Sequence, residues 1–505
     1  MNNFKAAFFT ILVVVTQSVF AQNQDTNTYK EQYRLQTHFS PKAHWINDPN
    51  GMVYFNHTYH LFFQYYPNGS TWGPMHWGHA ISTDLAHWKE LPIALYPDSL
   101  GYIFSGSAVV DSNNTSGFAK GGKIPLVAIF TAHDPKAEHE GKNNFENQSI
   151  AYSLDEGLTW TKFEGNPVLK NLGIRDFRDP NVMWYAPQKK WIMTLATLDR
   201  VTFYSSTNLK DWKKESDFGS NLGSHDGVWE CPNLFSLKFN KKTYWVLIGN
   251  INPGGPNKGS ATQYFVGEFN GTNFLQMGDT KTKWIDYGPD DYAGVTWNNT
   301  GNRKIFLGWM SNWIYANQLP TEKWRNAMTI PRELSLKNVN GEFYLSSTPV
   351  AELNTLDLSP IKIPASKLKT DYLFEGKVQS GFKLKFAINH ATDFSIKLYN
   401  DEGDNLIIGY DKAKNQYYID RTHAGISSFN REFAKTVFAP KISNFATSIV
   451  EIIFDNSSLE FFGDDGLSIM SALYFPKKPY NHLQFKFNAN NLVKQVELVP
   501  TKSIW

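Results

Sequence analysis

The sequence predicts an all-β protein: a five-bladed β-propeller followed by a C-terminal β-sandwich. Three observations lead there. From about residue 40, short runs of aromatic and β-branched residues alternate with turn residues, and helical periodicity is hard to find. A polar turn closed by tryptophan recurs, from Ser82 to Trp88, from Ser153 to Trp160 and from Ser206 to Trp212. These tryptophans lie 72 and 52 residues apart, roughly one four-stranded blade each. Near residue 350 the pattern changes: Trp becomes rare, and runs such as Phe382-Lys383-Leu384-Lys385-Phe386 alternate apolar with polar residues, as half-exposed sandwich strands do.

Taken in order, residues 1–21 read as a signal peptide. Lys5 supplies the positive start, Ala6 to Val15 is apolar, and Val19-Phe20-Ala21 presents small residues before a cut after Ala21. The run is too short to span a bilayer, so a secreted or periplasmic protein with no membrane partner is expected. Residues 22–350 make the predicted propeller. Within it, residues 53–55 and 59–65 flank the turn-like Asn56-His57-Thr58 as a hairpin does. Similar pairs are 127–130 with 148–153, 181–185 with 190–195, and 244–248 with 264–269. Pro360 and Pro364 mark 351–364 as a linker, which leaves 365–505 for the sandwich.

A chain of 505 residues is long enough for two domains. Its 37 Phe, 24 Tyr and 16 Trp suit both an all-β core and flat faces that stack on sugar rings, so the count alone does not choose. With 49 basic against 47 acidic residues there is no phosphate-tracking surface, which excludes a nucleic-acid partner. The single cysteine, Cys231, cannot form an internal disulfide.

The chain is organised around Trp45-Ile46-Asn47-Asp48-Pro49-Asn50-Gly51. Pro49 biases Asp48 toward extended backbone and Gly51 permits a turn, so the acid is held at a strand end with amide donors on either side. Such donors favour the ionised form, as a carboxylate nucleophile requires. Two more acids stand beside prolines, in Phe177-Arg178-Asp179-Pro180 and Trp229-Glu230-Cys231-Pro232. With Ser105 of Phe104-Ser105-Gly106-Ser107 and Asp291 of Asp290-Asp291-Tyr292-Ala293-Gly294 as further markers, the intervals are 57, 74, 51 and 61 residues. Near-blade spacing places one marker on each of five inner strands, all facing one funnel. Carboxylates in one pocket repel, so their pKa values must separate. Glu230, between Trp229 and Cys231, is expected to be raised and to serve as general acid; Asp179 is expected to stay ionised beside Arg178.

Together these motifs resemble glycoside hydrolase family 32, the invertase, inulinase and levanase group. The matching stretches are W-I-N-D-P-N-G at 45–51, F-F-Q-Y-Y-P at 62–67, W-G-P-M-H-W-G-H at 72–79, F-S-G-S at 104–107, F-R-D-P at 177–180 and W-E-C-P at 229–232. The resemblance runs from about His38 to the C-terminus. It implies Asp48 as nucleophile, Glu230 as acid/base and Asp179 as transition-state stabiliser. It also implies that Asn47, Gln64, Trp72, Ser105 and Arg178 line the subsite for a terminal fructosyl unit; Trp45, Phe104 and Trp309 are added as aromatic substrate contacts. The activity implied is retaining hydrolysis of terminal β-D-fructofuranosyl residues of levan, inulin and sucrose, with no cofactor and no metal. Stretches 129–134 with 147–152, and 308–313 with 331–334, look like the exo-acting fructanases.

Other readings stay open: an endo-levanase or invertase of the same family, transfructosylation, or a non-catalytic fructan-binding protein. His133, Asp134, Glu138, His139 and Glu140 have no fixed spacing for a metal and read as a solvated loop near the pocket mouth.

Overall fold

The computed structural model describes residues 28–368, 371–378, 381–389, 392–487 and 493–505. The expected signal peptide lies outside them. Among the described residues the chain is nearly all strand; one short α-helix, Pro135–His139, interrupts it, and no helix is long and apolar enough to cross a membrane.

The N-terminal part consists of consecutive antiparallel sheets that begin with the strands His44–Phe55, Tyr102–Val110, Phe177–Tyr185, Val228–Phe239 and Tyr292–Thr296. These first strands touch one another in cyclic order, and His44 and Trp45 pair in parallel with Trp324 and Arg325 from the far end of the ring. The result is a β-propeller. All four predicted hairpins form. In the first, Asn56 and His57 take positive φ of 45° and 62°, which matches the twist of a tight hairpin turn.

The recurring tryptophan turns all fall between the third and fourth strands of a sheet. In each, a serine hydroxyl bonds the side chain two residues on: Ser82 to Asp84 at 3.1 Å, Ser153 to Asp155 at 2.7 Å and Ser206 to Asn208 at 3.1 Å. Leu85, Glu156 and Leu209 follow with φ near 60°. Trp160 and Trp212 close their turns by donating to the carbonyls of Gly157 and Leu209.

A second recurrence positions the site. Every first strand breaks its ladder near its start: between Ile46 and Pro49, Ile103 and Gly106, Arg178 and Asn181, Glu230 and Asn233, and Tyr292 and Val295. Asp179, Cys231 and Ala293 take positive φ within these irregularities. A β-bulge bends its strand and re-aims the side chains beside it. Here each bulge spans or adjoins a residue singled out in the sequence.

The C-terminal part is a sandwich of two six-stranded sheets. Phe382–Asn389 and Phe394–Tyr399, neighbours in sequence, lie in opposite sheets, and their inward residues Leu384 and Ile396 meet in one buried core with Ile408, Ile452 and Phe461. The expected linker 351–364 forms defined elements, though most of it is exposed. Ala351–Leu356 is a 3-10 turn that buries Leu353 and Leu356, and Ile361–Pro364 is an edge strand paired with 495–498. Pro364 fits there because an outermost strand can spare an N–H.

Propeller and sandwich share a buried face on which Met52 and Leu353 belong to one cluster with Ile453, Phe462 and Ile469. Charges cross it. Arg332 binds Asp286 at 2.9 Å, Asp291 at 3.0 Å and, through Nε, Glu460 at 3.0 Å. His38 bridges Asp455 at 2.8 Å and Glu460 at 3.0 Å. Burial opposes charge on His38, but the two carboxylates outweigh it and raise its pKa to about 9. A folded pKa above the unfolded value stabilises fully below pH ~6.5 and is lost as pH rises through about 9, a contribution of about 3 kcal/mol. The melting temperature of the protein is therefore expected to fall between pH 6.5 and 9, and His38→Gln to lower it at pH 6 while flattening that fall. An unchanged alkaline slope in the variant would remove His38 from the account.

Candidate active site

Asp48, Asp179 and Glu230 line one cavity of about 270 Å³. Asn47, Gln64, Trp72, Phe104, Ser105 and Arg178 line it too, as the sequence leads one to expect. Segments more than a hundred residues apart meet because their bulges face the same end of the ring.

Asp48 is held from both sides. Asn47 Nδ2 donates to Oδ1 at 2.9 Å and Ser105 Oγ donates to Oδ2 at 2.8 Å. Asn47 is itself oriented by the Trp45 indole, which donates to its Oδ1 at 2.8 Å. The Cys231 sulfur lies 3.7 Å from Asp48 Oδ2 and 3.5 Å from Asp179 Oδ2. The residue adjoining Glu230 in the chain thus touches both other acids. Burial, then the nearby acids, push the Cys231 thiol up, so it stays protonated and can donate.

Glu230 accepts from Arg178 Nε at 3.0 Å and from the Tyr292 hydroxyl in a very short bond. Burial raises the Glu230 pKa, as does the charge of Asp48, while Arg178 opposes the rise. The direction matches the sequence reading. Asp179 does not. Its guanidinium neighbour turns away to Glu230, to Glu146 at 3.1 Å and to Asp176 at 2.8 Å. Asp179 keeps the Cys231 backbone N–H, at 2.9 Å. Burial first, then the Glu230 charge, push it up to about 8. Asp179 sits at φ 64° inside its bulge, so both neighbours reach the cavity without pairing with each other.

Two predicted contacts do not reach the cavity. Trp45 and Trp309 are fully buried, packed 6.0 Å apart between ring centres, and neither is part of its lining. Trp313 lies against both and does line the cavity. Asp291 is likewise absent from the lining, held by Arg332 at the buried face, while its neighbour Tyr292 reaches Glu230. Strand alternation separates consecutive residues.

His133 and Glu138, read from the sequence as a solvated loop near the pocket mouth, also line the cavity, as do Glu146 and Asp176, which the sequence did not single out. His133 is buried, stacked on Phe104 at 4.1 Å, and contacts Glu138 at 3.1 Å and Glu146 at 3.5 Å. It ends a strand and is not part of a solvated loop, whereas Glu138 belongs to the short helix. Among the described residues no group of His, Cys, Asp and Glu could hold a metal ion. The available signal was position: Glu146 pairs with His133 across the sheet, and Asp176 stands two residues before Arg178.

Comparison with known proteins accounts for this assembly. Residues 38–348 match the glycosyl hydrolases family 32 N-terminal domain and residues 354–504 the family 32 C-terminal one. The chain is 43% identical to a levanase of Bacillus subtilis over 98% of its own length and 74% of that protein. It is 41% identical to an extracellular exo-inulinase of Aspergillus awamori, over 90% of this chain and 91% of that one. The crystal structure of an exo-inulinase from the same fungus superposes with a TM-score of 0.86 at 37% identity, covering 94% of this chain and 100% of that one. A β-fructofuranosidase of Schwanniomyces occidentalis, complexed with fructosyl-erythritol, gives 0.85 at 31% identity over 95% and 99%. With its propeller, its sandwich and its shared acid cavity, this chain belongs to glycosyl hydrolase family 32.

Proposed function

We propose that the chain is an exported β-fructosidase that removes terminal β-D-fructofuranosyl residues from levan, inulin and sucrose with retention. The observation that carries it is the meeting of Asp48, Asp179 and Glu230 in one cavity fitted with hydroxyl-binding groups. Gln64 Nε2 is buried there with no hydrogen-bond partner in the protein, a donor awaiting a sugar hydroxyl. At about 270 Å³ the cavity sits near the low end of ligand sites, roughly 300–1,000 Å³, and suits one terminal unit better than a threaded chain.

In this reading each of the five sheets is one blade of a five-bladed propeller over about 22–350, and 365–505 is the sandwich. Asp48 attacks the anomeric carbon while Glu230 gives its proton to the glycosidic oxygen, so one carbon–oxygen bond forms as the other breaks. Burial and repulsion keep that proton in the Asp179–Glu230 set at neutral pH. Water then cleaves the fructosyl ester with Glu230 as base. Asp179 and Arg178 hold ring hydroxyls, Trp72 (40% exposed) and Trp313 flank the leaving side, and carboxylates alone stabilise the oxocarbenium-like transition state. Export is supported by the apolar N-terminus and by the extracellular exo-inulinase relative.

Incubation with levan, inulin and sucrose tests this. Free fructose is expected as first product from each, initially as the β-anomer by NMR. Oligosaccharides in its place would establish endo action, and no release from any substrate would end the hydrolase reading.

A further inference from the structure

The sandwich carries a second cavity, of about 590 Å³, larger than the one that holds the acids. It lies on the outward face of the sheet that contains Asn405–Asp411. Its floor is one cross-strand row. Lys486, Ser395, Gly409, Tyr418 and Phe438 are direct neighbours on successive strands. The middle of the row is small. A Cβ on Gly409 would come within 2.5 Å of Tyr418 Oη and 2.3 Å of the Phe394 carbonyl oxygen, so glycine is what lets the phenol lie across the sheet. Phe438, 38% exposed, extends that aromatic wall, and Asp420 adds a carboxylate beside it.

A shallow trough with an aromatic platform, a carboxylate and the exposed amine of Lys486, which lies 3.9 Å from Asp371 on the adjoining strand, has the chemistry of a sugar site. The ring faces take apolar C–H surfaces, and the carboxylate and amine take vicinal hydroxyls. Its location narrows the ligand. Trp313, on the rim of the acid cavity, donates its backbone N–H to Ser260 Oγ at 3.2 Å. Three residues earlier in the same loop, Asn257 brackets the backbone of Phe438, at 3.1 and 3.2 Å. Three residues span at most about 11 Å, so one short loop ties the cavity rim to the aromatic end of the trough.

We propose that this trough is an accessory subsite for the distal part of the fructan chain whose terminal unit enters the acid cavity. It rests on the fructan reading above. A second grip raises the local concentration of chain ends without altering the chemistry, so it serves polymers and leaves sucrose unaffected.

Affinity electrophoresis of the full chain through gels containing levan tests it, on an Asp48→Ala background that leaves the polymer intact. Tyr418→Ala and Lys486→Ala are each expected to weaken retardation, raising the apparent Kd for levan about five-fold. Placed in the active chain, both should leave sucrose kcat/KM within about two-fold. Lys486 is exposed, so its variant decides the matter if Tyr418→Ala also lowers sucrose turnover. Unchanged retardation with Lys486→Ala and Tyr418→Ala overturns the trough. Failure of the unsubstituted chain to hydrolyse sucrose or levan overturns the fructan reading itself, a separate result.

Discussion

Asp48→Ala is expected to lower turnover on sucrose and levan by on the order of 10⁴-fold or more while sugar binding persists. The side chain is held for attack by Asn47 and Ser105, at 2.9 and 2.8 Å, and no other carboxylate has those two donors. Alanine removes the attacking oxygen yet leaves Gln64 and Arg178 to grip hydroxyls. Calorimetric titration of the variant with sucrose should therefore still register binding. Covalent trapping gives an independent check: a fluorinated fructosyl donor that forms the ester but is slow to lose it should add its mass to the peptide containing residue 48. A label on residue 179 or 230 would reassign the nucleophile.

Glu230→Gln is the second large effect. General acid–base catalysis contributes about 10²–10⁴-fold, and sucrose, with a poor leaving group, should lose that much in kcat/KM. Glutamine keeps the shape that Arg178 and Tyr292 bind but carries no proton to give. A substrate with a nitrophenolate leaving group should suffer far less in its first step, and added azide should restore turnover by replacing the water that lacks its base. The pH profile supplies the sign. Because the Glu230 pKa is raised, wild-type activity is lost as pH rises and the acid deprotonates; the variant should lack that alkaline limb. Near-normal rates on sucrose and levan would sink the acid/base assignment.

Asp179 shows where local reading stops. Its neighbour Arg178 suggested an ion pair, yet the guanidinium bonds Glu230, Glu146 and Asp176, and burial and Glu230 push the Asp179 carboxyl up against the opposing charge of Arg178. The same limit applies to Trp309 and Trp313, four residues apart, of which the first is fully buried off the cavity and the second lines it.

From the sequence alone came the strand-rich pattern, the recurring polar turns closed by tryptophan, the hairpins and the proline-flanked acids. Each is a local matter of backbone preference and alternation, legible over ten residues. Only the folded chain decided which side chains share the cavity, that residues 351–364 form a 3-10 turn and an edge strand, and which acids Arg178 serves. Those outcomes depend on five bulges that re-aim strands across the ring and on distances between groups remote in the chain. Electrostatic coupling falls with separation and grows with burial, and neither is written in the order of residues.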